Sequence, residues 1–118
     1  MKKSDLNQEL KIPVFNDEYS VIFCWGEEKK IKKVLRSWGH KTKDVNLLDF
    51  RGQTFYTKDC HPVIAMPKFP VTPEQIGTLA HEATHAINNI FDKIGAFKDD
   101  ELFAHSIGAV VRQVLKHK

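Results

Sequence analysis

Apolar residues in the first half of the chain occur both in short runs and at helical spacing. Residues 19–25 form a β-branched and aromatic run, which is typical of a buried strand. Residues 27–38 instead repeat apolar side chains at the spacing of an amphipathic helix. That apolar stripe consists of Ile31, Val34, Leu35 and Trp38. The first 18 residues show little periodicity, so we expect a loosely packed arm or a short helix there.

Two further strands are expected at residues 47–56 and 62–66, where Phe, Val and Ile are frequent. Pro62 and Pro67 bracket the second of these segments. Because proline cannot donate a hydrogen bond to a neighbouring strand, we expect residues 62–66 to form a short strand or one at the edge of the sheet.

The strongest helix start in the sequence lies at residues 72–75. Thr72 is suited to be the N-cap, Pro73 the first helical residue, and Gln75 the partner in a capping box. We expect this helix to run to about Ile94 and to end at Gly95.

A last helix is expected from Asp99 or Asp100, either of which can cap it, to about Lys116. Its apolar stripe consists of Phe103, Ile107, Val110, Val111 and Val114. The predicted order β, α, β, β, α, α indicates an α+β fold, in which a small and mostly antiparallel sheet packs on the helix that begins at Pro73.

Composition fits one globular domain over residues 1–118. Hydrophobic residues make up 42% and charged residues 28%, and the net charge of +3 is too small to require a nucleic-acid or membrane partner. The N-terminus is polar and no run approaches eighteen apolar residues, so we expect no secretory signal and no membrane span. Cys24 and Cys60 lack CxxC spacing. We therefore expect a cytoplasmic protein with two free thiols.

Residues 81–85 read His81-Glu82-Ala83-Thr84-His85, the HExxH pattern, on the helix that begins at Pro73. A spacing of four sets the two imidazoles about 40° apart around the helix, which allows both rings to bind one zinc ion. Glu82 lies about 100° from His81 and is placed to reach a water on the metal. Chance supplies only about 0.02 such matches in a chain of this composition. Both histidines fall opposite the apolar stripe, so they are not core residues.

A catalytic zinc held by two histidines needs a third protein ligand. Glu101 and His105 are the candidates, four residues apart on the polar side of the last helix. Glu101 would complete a His₂Glu set, and His105 would then face the same cleft, where it could donate a hydrogen bond to the developing oxyanion or orient a ligand. The alternative is that His105 binds the metal and Glu101 supports it. Spacing does not decide between the two.

The stretch HEATHAINNIFDKIGAFKDDELFAHSIGAVV resembles the small zinc metallopeptidase-like proteins encoded by bacteriophages and prophages. These proteins are minimal zincins of the gluzincin type, and the resemblance covers roughly residues 60–113. It implies zinc on His81, His85 and Glu101, with Glu82 as the general base. Many relatives carry Tyr where this chain has His105, so the resemblance does not assign the residue that donates to the oxyanion in this chain.

Three functions follow as hypotheses. The first is a zinc metallopeptidase that hydrolyses peptide bonds with zinc-activated water, its extended protein or peptide substrate pairing with the strand at residues 62–66. The second is a non-catalytic zinc-binding module with the same fold that sequesters a protein partner. The third, nucleic-acid binding through the lysines of residues 27–38, is disfavoured, because such a run is usually a solvated helix face.

Overall fold

The computed structural model describes residues 8–14, 18–95 and 100–117. These residues form an α+β fold of four strands and three helices. The strands are β1 (Glu9–Val14), β2 (Tyr19–Trp25), β3 (Gln53–Phe55) and β4 (Val63–Met66). The helices are α1 (Glu28–Ser37), α2 (Pro73–Ile94) and α3 (Asp100–Lys116).

The four strands form one mixed sheet in the order β1-β2-β4-β3. β1 pairs with β2 and β3 pairs with β4 in antiparallel fashion, whereas β2 and β4 are parallel, with Ile22 opposite Val63. The sheet is therefore mixed, and the expectation of mostly antiparallel strands holds for two of its three pairings.

Helices cover both faces of the sheet, which explains why β2 and β4 are apolar without alternation. In β2, Val21 and Phe23 point to the face that carries α2 and α3, and Ile22 and Cys24 point to the face that carries α1. The two resulting clusters of buried side chains lie on opposite sides of one sheet. Among the described residues, no helix has the combination of length and hydrophobicity that crossing a membrane requires.

The sequence signals for the helices are confirmed. α2 begins with the Thr72–Gln75 capping box and ends at Gly95, which adopts the left-handed conformation with a φ of 63°. α1 lies within one residue of the predicted bounds at each end. The last helix spans Asp100–Lys116, and the capping candidate Asp99 lies outside the described residues.

One sequence-based expectation about the strands is wrong, and two are met only in part. Part of the segment predicted to be a loose arm is the strand Glu9–Val14, paired along its whole length with β2. Only Gln53–Phe55 of residues 47–56 is a strand. The strand at 62–66 is short, with four residues, which is one of the two expected alternatives, but it is not at an edge because β4 lies between β2 and β3. Its flanking prolines lie just outside the paired residues and so do not interrupt the ladder.

The buried thiol of Cys24 gives a direct test of this packing. Its side chain is 1% exposed, and burial raises its pKa to about 12, with a smaller contribution from Glu9. We expect iodoacetamide at pH 8 to modify Cys60 in the folded protein and to leave Cys24 unmodified until denaturant is added, because only the thiolate reacts. Peptide mass spectrometry would locate the label. Equal labelling of both cysteines in the folded protein would contradict the buried position of β2.

Candidate metal centre

The two histidines of the HExxH motif converge on the outer face of α2. Both residues are exposed, and their Nε2 atoms lie 3.3 Å apart. Their rings meet edge to face, with centroids 4.8 Å apart and planes inclined by 81°. The prediction that both histidines lie outside the core is therefore confirmed.

The spacing of the two nitrogens fits one tetrahedral zinc ion. With a zinc–nitrogen distance of about 2.0–2.1 Å and an angle near 109°, two imidazole ligands place their nitrogens about 3.3–3.4 Å apart. The observed separation of the His81 and His85 Nε2 atoms, 3.3 Å, matches this value. These two residues therefore fit a shared metal ion.

Glu82 differs sharply from the adjacent histidine in its environment. The side chain of His81 is 68% exposed and that of Glu82 is 10% exposed. The hydroxyl of Thr54, on β3, lies 2.8 Å from Glu82 Oε1, to which it can donate, and 2.9 Å from the Glu82 carbonyl oxygen. The other carboxylate oxygen, Oε2, is 3.9 Å from His81 Nε2. One oxygen of Glu82 is thus held by β3 while the other faces the histidine pair.

Gly52 allows the chain to approach α2 closely at this point. A Cβ atom on Gly52 would lie 2.6 Å from Thr78 Cγ2 and 3.3 Å from Glu82 Cγ. The first distance is shorter than side-chain packing permits, so any larger residue at this position requires the Thr78 side chain or the backbone to shift. The absence of a side chain at Gly52 therefore lets β3 cover Glu82.

Neither candidate for the third ligand lies together with the histidine pair. Glu101 and His105 are both exposed on α3, and the described residues contain no group of three or more His, Cys, Asp or Glu side chains arranged to hold a metal ion. Phe103 packs edge to face on Phe91, with ring centroids 5.5 Å apart, which places the start of α3 beside the last turns of α2.

His85 precedes Phe91 by six residues, or about 9 Å along the helix axis. Coordination by Glu101 or His105 would require their side chains to lie closer to the histidine pair than they do in this structure. The assignments of Glu101 as the third ligand and of His105 as the oxyanion donor stay predictions.

Thr54 and Gly52 are the two residues of this site that the sequence did not single out. Neither belongs to a recognised motif, and both contact Glu82 through a pairing that is distant in the chain. The one local signal was the glycine itself, which lies immediately before a short run of β-formers.

Comparisons with protein-family models, curated proteins and solved structures gave no match. The case for a metal centre therefore rests on the HExxH motif and on the geometry of α2 and β3.

The close contact at Gly52 predicts opposite outcomes for two glycine-to-alanine variants. We expect Gly52→Ala to lower the free energy of unfolding by about 1–3 kcal/mol, because the new methyl group collides with Thr78 on α2. Gly77→Ala is the matched control, since Gly77 lies in the same helix with nothing within 4 Å of an added Cβ. It should raise stability by about 0.5–1 kcal/mol. Urea denaturation measures both, and a Gly52→Ala variant as stable as wild type would contradict the close approach of β3.

Proposed function

We propose that the chain is a zinc-dependent metallopeptidase. The observation that carries this proposal is the separation of 3.3 Å between the Nε2 atoms of His81 and His85, beside a carboxylate that is largely buried. A direct hydrogen bond between the two imidazoles would give the same separation, so the largely buried glutamate held by Thr54 from another element is what favours a metal site over a simple histidine pair.

The residues that would hold zinc are His81 and His85, with Glu101 as the third ligand. Bound zinc would polarise the carbonyl of the scissile bond and lower the pKa of a water molecule toward neutrality. The proposed role of His105 is to donate a hydrogen bond to the developing oxyanion.

Glu82 would act as the general base. Because Thr54 donates to Oε1, the carboxylate has a fixed orientation and Oε2 stays available on the side of the histidines. Oε2 can accept a proton from the attacking water and return it to the leaving amine. Burial of the side chain limits competing contacts with bulk water.

The substrate is proposed to be an extended peptide that pairs with β3. The expectation that residues 62–66 take this role is wrong, because both sides of β4 are already paired. β3 is an edge strand, and its Thr54 contacts the proposed base directly. Addition of a strand to this open edge would bring a peptide bond past the histidine pair. A cytoplasmic location remains part of the same proposal.

One observation favours the alternative of a non-catalytic zinc-binding module that binds a protein partner. In the described residues, Glu101 and His105 are not assembled with the histidines. A metal site that uses only two side chains of this chain would need a ligand from the partner. The metal and activity measurements below separate the two functions.

Removing the base tests the mechanism. We expect Glu82→Gln to keep zinc and to lower kcat by about 10²- to 10⁴-fold, because the amide preserves the shape and the contact with Thr54 but cannot accept the proton. Glu74→Gln is the control, since Glu74 is an exposed residue in the first turn of the same helix. Hydrolysis of casein-derived peptides by the zinc-loaded protein is the readout. Normal turnover by Glu82→Gln would exclude the mechanism.

Metal content tests the ligand set. We expect the wild-type protein to bind about one zinc per chain and His85→Ala to lose it, because one imidazole and one carboxylate hold zinc weakly. Glu101→Ala and His105→Ala distinguish the third ligand, since loss of zinc should accompany only the coordinating residue. Equilibrium dialysis with metal analysis measures the ratio. Full retention by His85→Ala would contradict the site.

A further inference from the structure

The outward side of α1 is basic along its whole length. The apolar stripe of the helix, with Ile31 at its centre, is buried against the sheet. Lys29, Lys33 and Arg36 are exposed and lie within about 60° of one another on the opposite side of the helix. Lys32 flanks them. These four side chains therefore form a row that extends about 10.5 Å along the axis from Lys29 to Arg36.

The turn that follows α1 lengthens this row of cations. Arg36 Nη1 donates a hydrogen bond of 3.2 Å to Thr42 Oγ1, so the turn lies beside the end of the row. Lys41 and Lys43, on either side of Thr42, are both exposed. We call the combined surface the basic face, and its members are Lys29, Lys32, Lys33, Arg36, Lys41 and Lys43.

The basic face concentrates positive charge that the small net charge of the chain conceals. Residues 27–44 contain seven of the 18 Lys and Arg residues and three of the 15 Asp and Glu residues, so their net charge is +4 and that of the remaining chain is −1. Glu28 Oε1 accepts the Leu47 N–H at 2.8 Å, and its Oε2 lies 3.2 Å from Lys32 Nζ. Within the described residues, Lys32 alone among the six cations forms an ion pair.

Helix stability does not account for the basic face. Lys29 and Lys33 are four residues apart, as are Lys32 and Arg36, and like charges at this spacing destabilise a helix. Lys29 also lies in the first turn of α1, where the helix dipole disfavours a cation. The row of cations therefore weakens α1, and a bound polyanion would remove this repulsion.

The composition of the basic face selects among polyanions. A lipid surface fits poorly, because the apolar side chains of α1 are buried and the helix presents only polar side chains outward. A single nucleic-acid strand is bound largely by stacking on aromatic rings, and the basic face contains none. The backbone of a duplex requires only cations. An α-helix fits the major groove of DNA, about 12 Å wide, whereas the major groove of duplex RNA is too narrow.

We propose that the basic face binds the phosphate backbone of duplex DNA without sequence preference. The lysines of α1 alone do not favour nucleic-acid binding over a solvated helix face, and the structure adds to them the turn at residues 41–43. The sheet separates α1 from α2, so bound DNA lies on the far side of the sheet from the histidine pair. The proposal therefore does not depend on the peptidase function.

The first test is the salt dependence of binding. Fluorescence anisotropy measures the affinity of the full-length protein for a labelled DNA duplex of about 20 base pairs. Contacts with four or five phosphates predict a slope of about −4 for log K against log salt, so Kd should rise about 10²- to 10³-fold between about 50 and 200 mM NaCl. A duplex of unrelated sequence should bind equally well. Absence of binding at about 50 mM NaCl would overturn the proposal.

Matched triple variants locate the DNA surface. Lys29→Gln/Lys33→Gln/Arg36→Gln should weaken binding about tenfold or more at low salt and reduce the slope by about 2 to 3. The control removes two lysines and one arginine that are exposed and lie outside α1 and the turn after it. It is Lys68→Gln/Arg112→Gln/Lys116→Gln. Both variants have the same net charge, so an equal loss of affinity in the two would overturn the assignment of the basic face.

Mapping on the wild-type protein keeps the test independent of any folding defect in the variants. Addition of the duplex should shift the NMR amide signals of residues 27–44, and shifts confined to other segments would overturn the proposal. Binding to vesicles that contain phosphatidylserine, without binding to the duplex, would identify a lipid surface instead. The duplex should bind equally well to the zinc-free protein, so an inactive peptidase leaves the proposal standing.

Discussion

The close approach of residues 52–54 to α2 is the contact on which the candidate site depends. Without a Cβ at Gly52 the chain lies directly against Thr78 and Glu82, and Thr54 then fixes the carboxylate by a hydrogen bond of 2.8 Å. The adjacent His81 has no such cover and is largely exposed. One short strand therefore gives neighbouring residues of a single motif different environments, one suited to metal binding and the other to proton transfer.

Local signals in the sequence were sufficient to predict the helices and one strand, β2. The Thr72–Gln75 capping box and Gly95 fixed both ends of α2, because caps act on the backbone within a few residues. The outward direction of His81 and His85 followed from helical periodicity alone. β2 was recognisable because both of its faces are buried and its sequence is apolar throughout.

The positions of the other strands and of the third ligand depend on contacts that periodicity does not encode. β1 does alternate, with Leu10, Ile12 and Val14 between polar residues and Pro13, but this signal covers only six residues and includes a proline, and the prediction missed it. Its pairing with β2 confirms the strand. The prolines beside β4 suggested an edge, yet they stand outside the four paired residues of an inner strand. Burial of Glu82 required Gly52 and Thr54, about thirty positions away. The distance from α3 to the histidines is likewise a property of tertiary packing.

The order of the strands also has a consequence for folding. β1 and β2 are neighbours in the chain and pair as a hairpin. β4, in contrast, pairs with β2 although about 40 positions separate the paired residues. Within the described residues β3 joins the sheet only through β4, which is the one strand that pairs with it there. The covering of Glu82 is therefore linked to closure of the longest loop in the sheet. Loss of the parallel pairing of β2 and β4 would therefore release β3 from α2 and uncover the Glu82 carboxylate.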